Sequence, residues 1–151
     1  MIADHVVEVF EGDTEGKAAI GHGYTYSGHP VGAAAAIACV TETLRLNVKD
    51  NAAARGQQLF EGLQKLYDEF DEIGDVRGGH GLMCALELVS DRTTKKPIDK
   101  ATPVKLQKAA YESGAMIRVS GPNVILSPPL VLTAEDVDTI LAALRSGFQS
   151  L

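Results

Sequence analysis

The chain has 151 residues, a net charge of −6 at neutral pH, and 45% hydrophobic against 23% charged residues. This composition is typical of a globular domain and excludes a disordered chain, and the length is sufficient to bury a sizeable core. The acidic balance, without any cluster of Lys and Arg, argues against a nucleic-acid partner or an anionic membrane surface, since both need a basic footprint.

The two cysteines, Cys39 and Cys84, lie among apolar residues and show no metal-ligand spacing. We therefore predict two small buried thiols in a reducing compartment. The chain begins at Met1 without the basic region and apolar run of a signal peptide. No stretch approaches the ~20 apolar residues of a membrane span. These features together predict a cytoplasmic protein with no membrane partner.

In chain order, the first predicted element, over residues 3–11, is a short helix or an irregular amphipathic segment that ends in a loop. A glycine-rich polar loop at residues 21–30 then runs into a helix predicted over residues 30–48. Pro30 suits the first helical position, because its missing N–H would have no helical partner there. The free N–H groups and the positive end of a helix dipole favour an anion, and the Thr25 hydroxyl can add a donor. The loop is a candidate phosphate site or, alternatively, a helix cap that binds no ligand.

Two long helices occupy the next third of the chain. The first has a face of small residues and an apolar stripe, which predicts packing on more than one side. Its stripe consists of Ile37, Val40, Leu44 and Val48. The second is predicted over residues 52–71 from the clearest helical period in the sequence, with Asn51 as its N-cap. We interpret its polar face as solvated; that face carries Arg55, Gln58, Glu61, Lys65 and Glu69.

The rest of the sequence alternates hairpins with helices. Its predicted elements are two strands around a glycine turn at 73–90, an exposed polar loop at 91–102, a helix from Thr102 to Gly114, strands at 115–119 and 123–126, and a last helix opened by a capping box at 133–136. Helix, hairpin, helix, hairpin and helix make an α+β fold with a small antiparallel sheet and helices packed on one side.

Few residues are candidates for chemistry. The four histidines show no zinc-site spacing, and neither a serine-hydrolase elbow nor a dinucleotide fingerprint occurs, so we predict no metal. His80, between glycines, is interpreted as a turn residue, with a proton shuttle as the alternative. Arg118 is a stronger candidate, since a planar guanidinium can bind a substrate carboxylate through two parallel hydrogen bonds. A surface arginine on an edge strand is the alternative.

Residue order adds information that composition does not. Residues 22–30, His-Gly-Tyr-Thr-Tyr-Ser-Gly-His-Pro, closely resemble the motif of the class III (omega) aminotransferases, which are pyridoxal-phosphate enzymes of fold type I. The resemblance implies that Thr25 reaches across a dimer interface to the cofactor phosphate of the neighbouring subunit, helped by the backbone of Tyr24. It also implies a division of the chain. Residues 1–28 would be the remnant of a large cofactor domain and would include its phosphate-binding loop. Residues 29–50 would form an interdomain helix, and residues 51–151 the C-terminal small domain.

The resemblance extends to two arginines. Arg118 is followed by a glycine three residues later and by Pro128 and Pro129, which is similar to the context of the family's substrate-carboxylate arginine. Arg77 precedes a glycine turn similar to the small-domain hairpin of the family. That turn is one residue longer than the family pattern, so the role of Arg77 and of His80 is left open.

Transamination needs a lysine that forms a Schiff base with the cofactor. The chain has eight lysines, all in polar stretches or on helix faces expected to be exposed, and none matches the family's lysine context. The resemblance therefore implies the C-terminal third of an aminotransferase, with Met1 a cut rather than a natural start and the missing N-terminal portion as a partner. We expect no catalytic residue here and no activity of the isolated chain.

The complete enzyme, by resemblance, would be a homodimer that binds pyridoxal phosphate and transfers an amino group from an amine or omega-amino acid to a keto acid such as pyruvate. The alternative hypothesis belongs to another class of function. In it, Met1 is a true initiator and the chain is a stand-alone small α+β module that binds a partner protein and catalyses nothing.

Overall fold

A computed structural model describes residues 2–12, 15 and 23–151. The chain divides into two compact units, Met1–Cys39 and Val40–Leu151, so that the boundary lies within a helix. The described elements, in chain order, are α1 (Asp4–Glu11), α2 (Pro30–Arg45), α3 (Val48–Glu69), β1 (Ile73–Arg77), β2 (Cys84–Asp91), β3 (Lys96–Pro97), α4 (Thr102–Glu112), β4 (Arg118–Ser120), β5 (Asn123–Leu126) and α5 (Ala134–Gln149).

The predicted α+β architecture with a small antiparallel sheet is confirmed. The two hairpins, β1–β2 and β4–β5, join into one sheet of order β1-β2-β5-β4, because β2 pairs with β5. Cys84 lies opposite Leu126 and Leu86 lies opposite Val124 in that pairing. All four side chains are buried and belong to the core cluster. The sheet therefore buries one face.

Helices α3, α4 and α5 supply the other side of that core. Leu59, Leu63 and Leu66 of α3 are fully buried, as are Leu106 of α4 and Leu144 of α5. The helical period of α3 correctly predicted its buried stripe. Each such leucine contributes about 1.5–3 kcal/mol through burial alone.

The start of α3 differs from the prediction. The helix begins at Val48, and Asn47 precedes it in a left-handed conformation with φ 47°. Asparagine tolerates that conformation, which interrupts the helical path between the end of α2 at Arg45 and the start of α3. The helix thus starts about one turn earlier than predicted, and Val48 in that turn is buried. Asn51 is consequently not the N-cap but lies inside the first turn of the helix.

The polar face of α3 is not wholly solvated, contrary to the prediction. Gln58 donates from Nε2 to the carbonyl of Ala134 at 3.1 Å and to Asp138 Oδ1 at 2.9 Å. Glu69 accepts from Arg145 Nε at 2.8 Å. Both contacts cross to α5 or to its first residue. A single helix pattern cannot reveal them, because the partner lies 76 to 80 residues away.

Helix α2 buries no residue within the described chain. Ile37, Val40 and Leu44 are exposed, so the stripe predicted to pack is open, and Cys39 is exposed with it. The prediction of two buried thiols is wrong for Cys39 and right for Cys84, where burial raises the pKa of the thiol.

The described helices differ in length and apolar content from a membrane span. No single one is long and apolar enough to cross a membrane. The pair α2 and α3 meets the length and composition criteria together but is bent by 62° between the two helices.

The polar stretch at 91–102 is more ordered than predicted. It contains the short strand β3, which pairs with β2. Arg92 donates from Nη2 to the carbonyls of Tyr67 and Phe70, at 2.6 and 2.7 Å, and its guanidinium lies 4.1 Å from the centre of the Tyr67 ring. The side chain thereby satisfies carbonyls at the C-terminal end of α3, which have no helical partner.

The later boundaries agree with the prediction to within a few residues. The capping box at the start of α5 is confirmed: Thr133 and Asp136 exchange side-chain and backbone hydrogen bonds. Helix α4 begins at Thr102, as predicted, with Ala101 at the N-cap position. The Asp99 carboxylate accepts from the backbone N–H of both residues. Strand β4 is shorter than predicted and begins at Arg118.

The glycine turn between β1 and β2 touches α3. Gly78, Gly79 and Gly81 all have positive φ, at 148°, 89° and 70°, a region that side chains disfavour. Gly56 of α3 faces this turn so closely that a Cβ there would lie 2.1 Å from the carbonyl oxygen of Gly81. Helix and turn are in backbone contact at this point.

We expect Gly56→Ala to destabilise the protein by about 1–3 kcal/mol or more, because the added methyl overlaps backbone that cannot rotate away. Urea unfolding would measure the loss. Gly32→Ala is the matched control, since its Cβ would meet only His29 Cβ at 4.0 Å and alanine is the better helix former by about 1 kcal/mol. Equal stability of the two variants would contradict the contact.

Candidate functional site

The polar loop before α2 folds as a turn over residues 24–28. The Ser27 N–H donates to the Tyr24 carbonyl at 2.9 Å and the His29 N–H to the Tyr26 carbonyl at 3.3 Å. Gly28 has φ 73°, which suits glycine. Pro30 begins the helix, as predicted. The first two residues of the predicted loop, Gly21 and His22, lie outside the described residues.

Thr25 lies at the exposed side of this turn. Neither its hydroxyl nor its N–H takes part in a hydrogen bond with any described residue. Tyr24, also exposed, contributes the carbonyl that closes the turn. A hydroxyl and an N–H that the chain itself does not use are the donor types that phosphate oxygens need. The turn therefore presents donors of the kind that a phosphate group would need.

Arg118 is the first residue of the edge strand β4, opposite Ile125 of β5. Its guanidinium forms no hydrogen bond and no ion pair within the described part of the chain. Arg77, on the same sheet, shows the contrast: its guanidinium pairs with Asp75 at 3.0 Å and with Glu87 at 2.5 Å. Arg118 is available for an external carboxylate, whereas Arg77 is already neutralised.

A cleft of about 730 Å³ adjoins Arg118. Apolar side chains predominate in its lining, among them Met116, Pro128, Val131 and Ile140. This combination can accept an anionic group at Arg118 and an apolar group beside it.

The second charged group in the lining is Asp136. Its hydrogen bonds from the hydroxyl and N–H of Thr133 hold the pKa of the Asp136 carboxyl below its usual value. The carboxylate is therefore ionised at neutral pH. The cleft lining thus carries one positive and one negative side chain, Arg118 and Asp136.

Two amide side chains hold the walls of this cleft, and sequence reasoning did not find their role. Asn51 donates from Nδ2 to the carbonyls of Leu130 and Leu132, at 2.8 and 3.0 Å. Gln107 donates from Nε2 to the carbonyl of Ile117 at 2.9 Å, next to Arg118. Neither contact leaves a sequence signal, since amide side chains occur on many helix surfaces.

The remaining sequence candidates lie apart from the cleft. The hairpin around Arg77 is confirmed, with Arg77 opposite Ala85. His80 is exposed in the glycine turn, as expected of a turn residue. In the residues that the structure describes, no three His, Cys, Asp or Glu side chains form a group that could hold a metal ion. The seven lysines among them are all exposed, and none lines the cleft; Lys17 lies outside that part of the chain.

Tyr24 and Thr25 share one turn in the first compact unit, and Arg118 lies in the second. The resemblance assigned Thr25 to the cofactor of a neighbouring subunit, so a single chain need not bring the two sites together.

Solved structures define the class of protein. An amine transaminase from an uncultivated Pseudomonas species, in its PLP-bound form, is 40% identical, with a TM-score of 0.81 over 95% of this chain and 33% of that chain. An omega-transaminase from Thermomicrobium roseum is 28% identical, with a TM-score of 0.79 over 99% of this chain and 33% of its own. The fold is that of the C-terminal part of fold-type-I transaminases.

The family model for class III aminotransferases matches residues 3–147, and the chain belongs to that family. Among curated relatives, the diaminobutyrate–2-oxoglutarate transaminase of Halomonas elongata is 36% identical over 94% of this chain and 31% of its own length. The taurine–pyruvate aminotransferase of Bilophila wadsworthia is 35% identical over 84% and 29%. The chain thus spans about a third of the length of the relatives it matches.

Proposed function

We propose that this chain is the C-terminal part of a pyridoxal-phosphate-dependent class III aminotransferase that transfers an amino group from an amine or omega-amino acid to a keto acid such as pyruvate. The observation that carries the proposal is the unpaired Arg118 beside an apolar cleft. A keto acid presents a carboxylate to the arginine and a small apolar group to the cleft wall. Family membership supports the reaction class.

The proposed division of the chain follows the resemblance. Residues 1–28 belong to the large cofactor domain, residues 29–50 form the interdomain helix and residues 51–151 form the small domain. The boundary between the two compact units lies between Cys39 and Val40, inside the proposed interdomain segment, and this supports the division.

The cofactor, when bound, withdraws electrons from the amino-bearing carbon. This chain contributes to holding it rather than to that chemistry. The Thr25 hydroxyl, with the backbone of Tyr24, binds the phosphate of the cofactor in the neighbouring subunit of a homodimer. Arg118 binds and orients the substrate carboxylate. We place the reacting lysine outside this chain, because none of its eight lysines matches the family's lysine context, and we expect no turnover by the chain alone.

A second function has one observation in its favour. The exposed apolar stripe of α2 would also suit a stand-alone module that binds a partner protein. The rest of an aminotransferase can cover the same stripe, and the family match favours that interpretation.

A cytoplasmic location remains part of the proposal on composition alone.

The test uses the complete enzyme, purified with pyridoxal phosphate. Taurine, a diamine, an omega-amino acid and an aryl amine are each offered with pyruvate or 2-oxoglutarate, and the aminated acceptor is measured by chromatography. We expect product from at least one donor and none from the 151-residue chain alone. A folded, cofactor-loaded enzyme that aminates no acceptor would refute the proposed function.

A further inference from the structure

The loop between β5 and α5 forms one wall of the Arg118 cleft. Residues 128, 129, 131 and 132 all line it. The loop is anchored at both ends: Leu126 pairs with Cys84 in the sheet, and Thr133 caps α5. Between those anchors the chain contains Pro128 and Pro129, which have no N–H to donate.

The middle of this loop is held from α3. Within the described chain, Asn51 supplies the side-chain hydrogen bonds to residues 130–132, with both amide hydrogens used on the carbonyls of Leu130 and Leu132. Leu130 and Val131 are exposed, and Leu132 is the buried residue of the three. Packing therefore fixes Leu132, and a turn in which the Leu132 N–H donates to the Pro129 carbonyl at 3.0 Å gives the segment its local shape. Asn51 ties this turn to α3, through the carbonyls on either side of Val131.

We propose that Asn51 is a positioning residue for the carboxylate site. It holds residues 130–132 at the distance from β4 that shapes the cleft beside Arg118, and so it controls the affinity for substrates that use this arginine. Asn51 does not itself line the cleft, and it touches no substrate. The inference rests on the proposed function of Arg118.

Gln58 provides a matched control. It lies seven residues after Asn51 on the same helix, hence on nearly the same face. It also donates to the C-terminal segment, to Ala134 and Asp138. Those two residues do not line the cleft. Removing its amide takes away a comparable pair of hydrogen bonds without releasing the loop.

The experiment compares the two half-reactions of the complete holoenzyme by stopped-flow spectroscopy. An aryl amine without a carboxylate tests the first half-reaction, and pyruvate tests the second. Asn51→Asp keeps the size of the side chain but replaces the donor with an oxygen that repels the two carbonyls. We expect its dissociation constant for pyruvate to rise about tenfold, an energy equal to one or two hydrogen bonds, while the amine half-reaction stays within about twofold.

Gln58→Leu should lower the thermal midpoint as Asn51→Asp does, yet leave pyruvate affinity unchanged. If Asn51→Asp does not fold, Asn51→Ser is measured in its place and read in the same way. Unchanged pyruvate affinity, or equal slowing of both half-reactions, would overturn the proposal, because the second result indicates a purely structural role.

An Arg118→Ala variant, measured in parallel, separates this inference from the proposed function. If Arg118→Ala loses pyruvate affinity and Asn51→Asp does not, only the proposal for Asn51 is refuted. If Arg118→Ala binds pyruvate normally, the assignment of Arg118 is refuted, whatever the result for Asn51→Asp.

Discussion

Replacing Arg118 with alanine in the complete enzyme should raise the KM for a keto acid by about 10- to 150-fold. That range corresponds to the roughly 1.5–3 kcal/mol of hydrogen bonds to a charged group. The guanidinium has no partner within the described chain, so the variant loses only its contacts with the ligand, and its stability should not change. Steady-state kinetics at varied pyruvate concentration would measure the effect.

Two further variants make this result specific. Arg118→Lys keeps the charge but not the planar pair of donors, so we expect an intermediate KM. Arg77→Ala removes a guanidinium from the same sheet that is already paired with Asp75 and Glu87, and the KM should remain at the wild-type value. A high KM in Arg77→Ala and a normal one in Arg118→Ala would reverse the assignment.

The second large effect is expected at Thr25. Thr25→Ala should weaken retention of pyridoxal phosphate by about 1–3 kcal/mol, the cost of losing a hydrogen bond to a charged phosphate. Equilibrium dialysis of the cofactor against the complete dimer would measure it. The exposed hydroxyl has no partner among the described residues, so the substitution should leave the free energy of unfolding of the cofactor-free protein unchanged.

Thr25→Ser retains the hydroxyl and should retain most of the cofactor affinity. Thr25→Val has nearly the size of threonine without the hydroxyl, and it should behave like the alanine variant. Equal cofactor affinity in all three variants would remove Thr25 from the phosphate site.

Local patterns predicted most of the fold. The leucine period of α3, the capping box of Thr133 and Asp136, and the prolines after β5 each act within a few residues, so their effects can be read along the chain. The pairing of β2 with β5 joins hairpins about forty residues apart. No local pattern specifies it, although both strands are apolar enough to require a neighbour.

The errors share a physical cause. Asn51 has the residue type of an N-cap, but its amide binds carbonyls 79 and 81 residues away. Gln58 and Glu69 have the pattern of a solvated face, but α5 supplies partners for both. Cys39 lies among apolar residues on a helix that is exposed in the described chain. In each case the deciding contact, or its absence, is tertiary.

The candidate sites were first proposed from residue chemistry, and the resemblance to a family then gave them specific roles. The roles of Thr25 and Arg118 stay predictions, and the structure adds that neither side chain has a competing partner within the described chain. The cleft wall and its anchors could not be predicted, because they depend on where the loop after Pro129 lies relative to α3.

The guanidinium of Arg118, which has no partner in the described part of the chain, is also open to anions other than a substrate. A carboxylate that binds to Arg118 does not have to displace an internal ion-pair partner. The exposed positive charge at this edge of the sheet therefore attracts dissolved anions from a distance. Dissolved ions shorten that reach to about 8 Å at physiological ionic strength. We expect chloride and buffer anions to compete with a keto acid at Arg118, and to bind less readily at Arg77, which already has two carboxylate partners.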